Sequence, residues 1–209
     1  MYDLLRRSYR TDLIMINTDD MGKFWNWFKA NADDLQSQKY PNAKLDELDR
    51  RVISFGLRWE VGPGKEKANS LTISPGGNPE KMELAKEFIR VSPIIDAWEF
   101  YSFKQPKENW DKLELPNDDI QISADGWTYA LLKYKDGKKE ILIKGDSLNN
   151  IDPDYKVGVA ELVLSNLIGE ERMMTEVDFV DVLSPDDNTY ELHDLQELAK
   201  HLDYIKNGA

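Results

Sequence analysis

The chain has no cysteine and only two histidines among its 209 residues. The first absence removes disulfides, thiolate nucleophiles and cysteine-ligated metals, and is compatible with a reducing compartment. The second leaves His193 and His201, eight positions apart in a stretch that reads as one terminal amphipathic helix, 192–205. Two helical turns separate such residues by about 11 Å, too far for one ion to bridge; H-E-x-x-H sites use a spacing of four. Both are therefore expected as surface histidines. Positive charge is also scarce. With 27 Lys and Arg against 39 Asp and Glu, the formal net charge is −12. Acidity of this order repels phosphate backbones and favours a basic partner, so nucleic acid is not an expected ligand. Long apolar runs are missing too. No segment approaches the roughly eighteen apolar residues of a membrane span, and the start, Met1-Tyr2-Asp3-Leu4-Leu5-Arg6-Arg7, leads into no apolar core of signal-peptide length. The expectation is a cytoplasmic protein without membrane attachment. Neither the phosphate-loop pattern, the dinucleotide fingerprint nor a G-x-S-x-G elbow occurs, so no cofactor is expected.

What the chain does contain organises itself around residues 57–106. Arg58 to Val61 alternates Trp59 and Val61 against Arg58 and Glu60, as a strand with one buried side does. Gly62-Pro63-Gly64 stops it. Leu71 and Ile73 alternate in a second strand, Pro75-Gly76-Gly77 breaks the chain, and Met82, Leu84, Ala85, Phe88 and Ile89 form a broad helical stripe. Trp98 to Phe103 follows, apolar on both faces, as an inner strand would be. The same order recurs over 127–185: a hairpin of 127–134 and 139–144 turning at Asp136-Gly137, a helix over Tyr155 to Glu171 with Val159, Leu162, Val163 and Leu167 on one side, then a strand over Glu176 to Leu183. This suggests two diverged halves, 57–106 and 127–185, although such order also recurs by chance in α+β proteins.

Ahead of these lie a short strand within 8–17 and a helix from about Met21, led in by Thr18-Asp19-Asp20 as capping residues. In that helix Phe24, Trp27 and Phe28 share a face, with Trp25 at its edge. A second helix, 43–55, carries Leu45, Leu48, Val52 and Phe55, and the turn Tyr40-Pro41-Asn42 makes the two a hairpin. Residues 106–116 are charged and bracketed by prolines, and read as a linker or surface excursion. Residues 119–123 read as an edge strand, with Ile120 and Ile122 inward. Length and composition fit a single α+β domain over 1–209: a mainly antiparallel sheet with helices on one side and an N-terminal helical hairpin.

Candidate binding residues are aromatic. Trp110 stands in the charged excursion beside Glu108, Asn109 and Asp111, placed as an exposed interaction anchor. Trp25 and Trp27 cannot both face fully inward, which makes Trp25 a second candidate. Tyr129 and Tyr134 lie among Lys133, Lys135, Lys138, Lys139 and Lys144, as a single-strand binder would need; the competing reading is a solvated hairpin whose lysines protect a sheet edge. Among the carboxylates, Glu176 and Asp178 would project from the same side of one strand and could hold a hard cation or form an acid/base pair. That supports an alternative, a metal-dependent hydrolase, although close acidic pairs arise by composition in so acidic a chain. Asp152-Pro153-Asp154 reads as the cap of the helix after it.

Certain segments together resemble a family of uncharacterised bacterial proteins. They are Phe24-Trp25-x-Trp27-Phe28, Leu71-x-Ile73-Ser74 leading into Gly76, Trp98-x-Phe100-x-x-Phe103-x-Gln105-Pro106, Asp118-Asp119-Ile120 and Leu164-x-x-Leu167-Ile168-Gly169-Glu170. The resemblance spans nearly the whole chain and implies no particular reaction, cofactor or catalytic residue. The functional expectation is a non-enzymatic interaction domain, of immunity or adaptor type, with a basic protein partner.

Overall fold

A computed structural model describes residues 18–36, 42–115 and 120–206. The strand expected within 8–17, and Tyr40 and Pro41 of the helix-connecting turn, lie outside them. The described residues divide into two compact units, one from 18–75 with 80–102 and one from 76–79 with 103–206. The fold is α+β, and most strand pairs are antiparallel.

In the first unit, helix α1 (Thr18–Leu35) buries Met21, Phe24, Trp25, Phe28, Ala32 and Leu35. Thr18, Asp19 and Asp20 sit inside its first turn rather than ahead of it, where the two carboxylates favour the positive end of the helix dipole. Helix α2 (Ala43–Ile53) is capped by the Asn42 side chain, which accepts the Lys44 N–H, and it packs on α1 to form the helical hairpin. Strands β1 (Arg58–Gly62) and β2 (Asn69–Ser74) pair antiparallel. A helical turn at Pro79–Lys81 and helix α3 (Met82–Arg90) then return the chain to β3 (Trp98–Tyr101), which lies parallel to β2. The sheet order is β1-β2-β3, so the inner strand is β2 and β3 lies at an edge, contrary to expectation. The apolar content of β3 reflects its contacts with α1. Trp98 meets Phe28 edge-on at 5.0 Å and Phe100 meets Trp25 at 4.8 Å, whereas Tyr101 lies 6.0 Å from the Lys65 ammonium.

The second unit begins with β4 (Lys112–Leu115) and β5 (Ile120–Ser123), an antiparallel pair. The expected linker is thus part strand, and its Leu113 packs against the second core. Strands β6 (Thr128–Lys133) and β7 (Lys139–Lys144) form the hairpin expected at Asp136-Gly137, with Gly137 at φ +88°. Asp152 caps helix α4 (Pro153–Ile168), its carboxylate accepting the Asp154 N–H at 3.0 Å. Gly169, at φ +84° and pressed against Pro106, splits the single helix expected here and starts α5 (Glu170–Glu176). The inward stripe of α4 is Val159, Ala160, Val163, Leu164 and Ile168, while Leu162 faces out.

Strand β8 (Phe179–Val182) then pairs parallel with β7, and the two-residue β9 (His193–Asp194) pairs antiparallel with β6. A helical turn at Leu195–Glu197 precedes helix α6 (Leu198–Lys206). The order is β8-β7-β6-β9. Each unit therefore contains an antiparallel hairpin, a helix, and a strand returning parallel to the hairpin's second strand.

One face of the second sheet, with Tyr129, Ile141 and Ile143, carries α4 and the leucines 195, 198 and 202. In the same unit, the carboxylate of Glu170 is almost fully buried. It accepts the N–H of Gly77 at 3.1 Å and of Lys104 at 3.0 Å. The buried carboxylate is thereby satisfied by two backbone amides.

Candidate functional site

The structure separates the aromatic candidates. Trp25 is not at a surface: its indole N–H donates to the Phe88 carbonyl at 2.9 Å, and the ring is buried among Phe24, Phe28, Phe88 and Phe100. That hydrogen bond satisfies the only polar atom of the indole and draws the ring inward. Trp27 is left half-buried instead, beneath the Arg51 guanidinium at 4.7 Å. Tyr129 is fully buried, because it faces α6 from the core side of β6. Trp110, in the turn before β4, is half-buried against the second core rather than standing free. Of the four, Tyr134 is exposed, at 45%.

The paired-acid premise fails for a structural reason. Glu176 ends α5 and Asp178 precedes β8, so the two do not share a strand face. Glu176 is tied to Arg172 at 2.9 Å and Lys206 at 3.3 Å. Burial pushes its carboxyl up, but the two cations more than offset this and hold it below the usual carboxylate range. Asp178 accepts the Lys139 N–H at 2.8 Å. Among the described residues, no group of three or more histidine, aspartate or glutamate side chains is placed to hold a metal ion.

The histidines behave differently from expectation. His193 lies on β9 and His201 on α6, and the rings meet edge to face with centroids 5.6 Å apart. The signal was Asp194, whose side chain caps the turn by accepting the Gln196 N–H. It marks the helical start after 194 and leaves His193 in extended chain.

What remains is the second sheet's other face. Strand registers align Leu132 with Glu140 and Glu140 with Phe179, so the three side chains project together. Phe179 is 49% exposed on the edge strand, and the Lys138 ammonium lies 5.6 Å from its ring centre. Tyr134, just past β6, donates its hydroxyl to the Glu140 carboxylate. That bond, with burial and the carboxylate's charge behind it, raises the phenol above its ordinary pKa, so it remains a donor. Tyr190 is 36% exposed and close enough to Tyr134 to influence its ionisation. The segment carrying Tyr190 is anchored by the Lys144 ammonium, which donates to the Asp187 carbonyl at 2.7 Å. Asp136, Asp178 and Asp181 stand exposed at the margin. Sequence alternation could have found Phe179, because Val180 and Val182 take the core side of β8.

Three of the hairpin lysines serve this local architecture. Lys138 covers Phe179, Lys144 holds Asp187, and the Lys139 ammonium donates to the Glu176 carbonyl at 3.2 Å. In the first unit, a shallow pocket of about 240 Å³ is walled by Ile89, Ile94, Ile95, Trp98 and Phe100. It is smaller than the roughly 300 Å³ at which ligand clefts begin, and its Lys67 ammonium is held by the Ile95 carbonyl.

Comparisons with protein-family models, with curated proteins and with solved structures found no match. Among the described residues, no helix is long and apolar enough to cross a membrane.

Proposed function

We propose that this protein is a binding module of the bacterial cytoplasm that recognises a basic protein partner through the outer face of its second sheet. The observation carrying this reading is the grouping of exposed Tyr134 and Phe179 around Glu140, with exposed Tyr190 near Tyr134, in a chain of net charge −12. Aromatic side chains of this kind anchor interfaces, because they bury large areas at little entropic cost. The carboxylates beside them favour cationic groups and speed encounter at low ionic strength. Lys138 indicates how recognition would work: its ammonium already sits on the Phe179 ring, where a partner's guanidinium would bind more strongly by stacking and cation–π attraction.

The test compares the wild-type chain with the Tyr134→Ala/Phe179→Ala variant as baits in a lysate, at low and high salt. A captured protein that is basic, salt-sensitive and lost with the variant supports the reading. Capture that is indifferent to the two substitutions contradicts it.

A further inference from the structure

His193 and His201 lie where the C-terminal segment attaches to the second sheet. That segment reaches the sheet through the short ladder of β9, in which Asp194 pairs with Thr128 and His193 with Tyr129, and through the Leu195 N–H, which donates to the Trp127 carbonyl at 3.0 Å. Leu195, Leu198 and Leu202 are buried beyond it. A side-chain hydrogen bond in this contact zone joins Tyr129 Oη and His201 Nδ1, at 2.9 Å. Burial, with the charge of Glu197 behind it, pushes the Tyr129 phenol up to about 12, so it keeps its proton; that buried hydrogen has no second partner among the described residues, which assigns the phenol as donor and Nδ1 of a neutral imidazole as acceptor.

A protonated imidazole reverses this bond. Both its nitrogens become donors, the phenol oxygen must accept, and the phenol's own hydrogen is left in a fully buried position with no second partner among the described residues. The neighbouring ring compounds the effect, since two imidazolium charges at 5.6 Å repel.

We infer that His193 and His201 form a proton-operated latch, closed on β6 when the His201 imidazole is neutral and loosened as it takes up a proton beside His193. The charged neighbours act on it as follows. From β9, the Asp194 carboxylate is committed to the Gln196 N–H. From the turn before α6, Glu197 acts on Tyr129. From α5, Arg172 is paired to Glu176 and Asp203, while Lys206 of α6 pairs with Glu176. Helix α4 presents apolar side chains to this core. In keeping with this, burial first and the His193 charge second hold His201 below the ordinary histidine range. The open form therefore binds protons more readily than the closed one. Stability of the attachment is complete above the ordinary histidine value and falls as pH drops through the lowered value.

The full-length chain is tested by proton NMR titration of its imidazoles and by amide exchange at about pH 7.5 and about pH 5, on either side of the histidine range. Four results are expected. His201 titrates below the ordinary value. His193→Gln moves it upward. Protection factors over 195–206 drop on acidification, because the open form holds its proton more tightly than the closed form, while those of β7 hold. In His193→Gln/His201→Gln the acid-induced drop disappears. An ordinary His201 titration that ignores His193→Gln would overturn the inference. So would protection over 195–206 no more pH-dependent than that of β7. Both of these readings come from chains that keep His201, so they decide the matter even if the double variant fails to fold.

Discussion

Gly145→Ala probes how closely the second sheet is packed. At φ −161° the backbone is extended and open to any residue, so the cost of a side chain there is steric alone. A Cβ on Gly145 would lie 2.7 Å from Trp127 Cγ and closer still to Cδ1 and Nε1. The indole cannot simply retreat. It is 1% exposed, and its N–H donates to Ser147 Oγ at 2.9 Å, which donates in turn to the Ser123 carbonyl at 2.7 Å. Overpacking a well-filled site costs about 1–3 kcal/mol, and losing the indole hydrogen bond adds about 1 kcal/mol. Replacing glycine returns about 0.4–1 kcal/mol through the unfolded chain. The net expectation is a loss of about 1–3 kcal/mol, or roughly 3–10 °C in Tm for a chain of this length. Urea unfolding of Gly145→Ala, Trp127→Leu and the double variant completes the cycle. If the clash is the cause, most of the alanine penalty vanishes in the leucine background. Effects that simply add, within about 0.5 kcal/mol, would refute the steric argument.

Three further outcomes follow from buried polar groups. Glu170→Leu removes the acceptor of the Gly77 and Lys104 amides and should cost about 2–5 kcal/mol in urea unfolding; Glu170→Gln, which keeps one acceptor oxygen, should cost less. Trp25→Phe leaves the Phe88 carbonyl without its indole donor, an expected loss of about 1–3 kcal/mol by the same measurement. Arg172→Met leaves the burial of Glu176 opposed by Lys206 alone. In the native chain the lowered carboxyl contributes stability above its unfolded pKa that is lost as pH falls. The variant's deficit should therefore be largest near neutrality and shrink on acidification through the carboxylate range; an equal deficit at both ends would contradict this.

Local chemistry was the legible part of the sequence. Asp136-Gly137 specifies its turn within a few residues, the stripe of α3 needs only the helical period, and Asp152-Pro153 marks a helix start. The misreadings have nonlocal causes or overlooked local ones. Gly169 breaks a periodic helix where Pro106, distant in sequence, approaches it. Trp25 turns inward to reach a carbonyl on another helix, and the expected inner strand β3 draws its apolar residues from contact with α1. The Glu176 placement was recoverable, because Arg172 and Glu176 form an i,i+4 pair that favours helix over strand. The histidine pair required knowing that β9 docks beside β6, a contact between positions far apart in the chain. The aromatic face required strand register, which fixes that Glu140 and Phe179 project together and that Tyr134 can reach them.

Recognition of a basic partner is tested most directly by titrating a lysine- and arginine-rich peptide into isotopically labelled protein and following backbone amide shifts at low and high salt. Binding at the aromatic face predicts shifts concentrated at 134–140, 178–182 and 188–190, weakening as salt rises and absent in the Tyr134→Ala/Phe179→Ala variant. Shifts scattered over acidic residues of both units, or confined to α1, α2 and the first sheet, would contradict it.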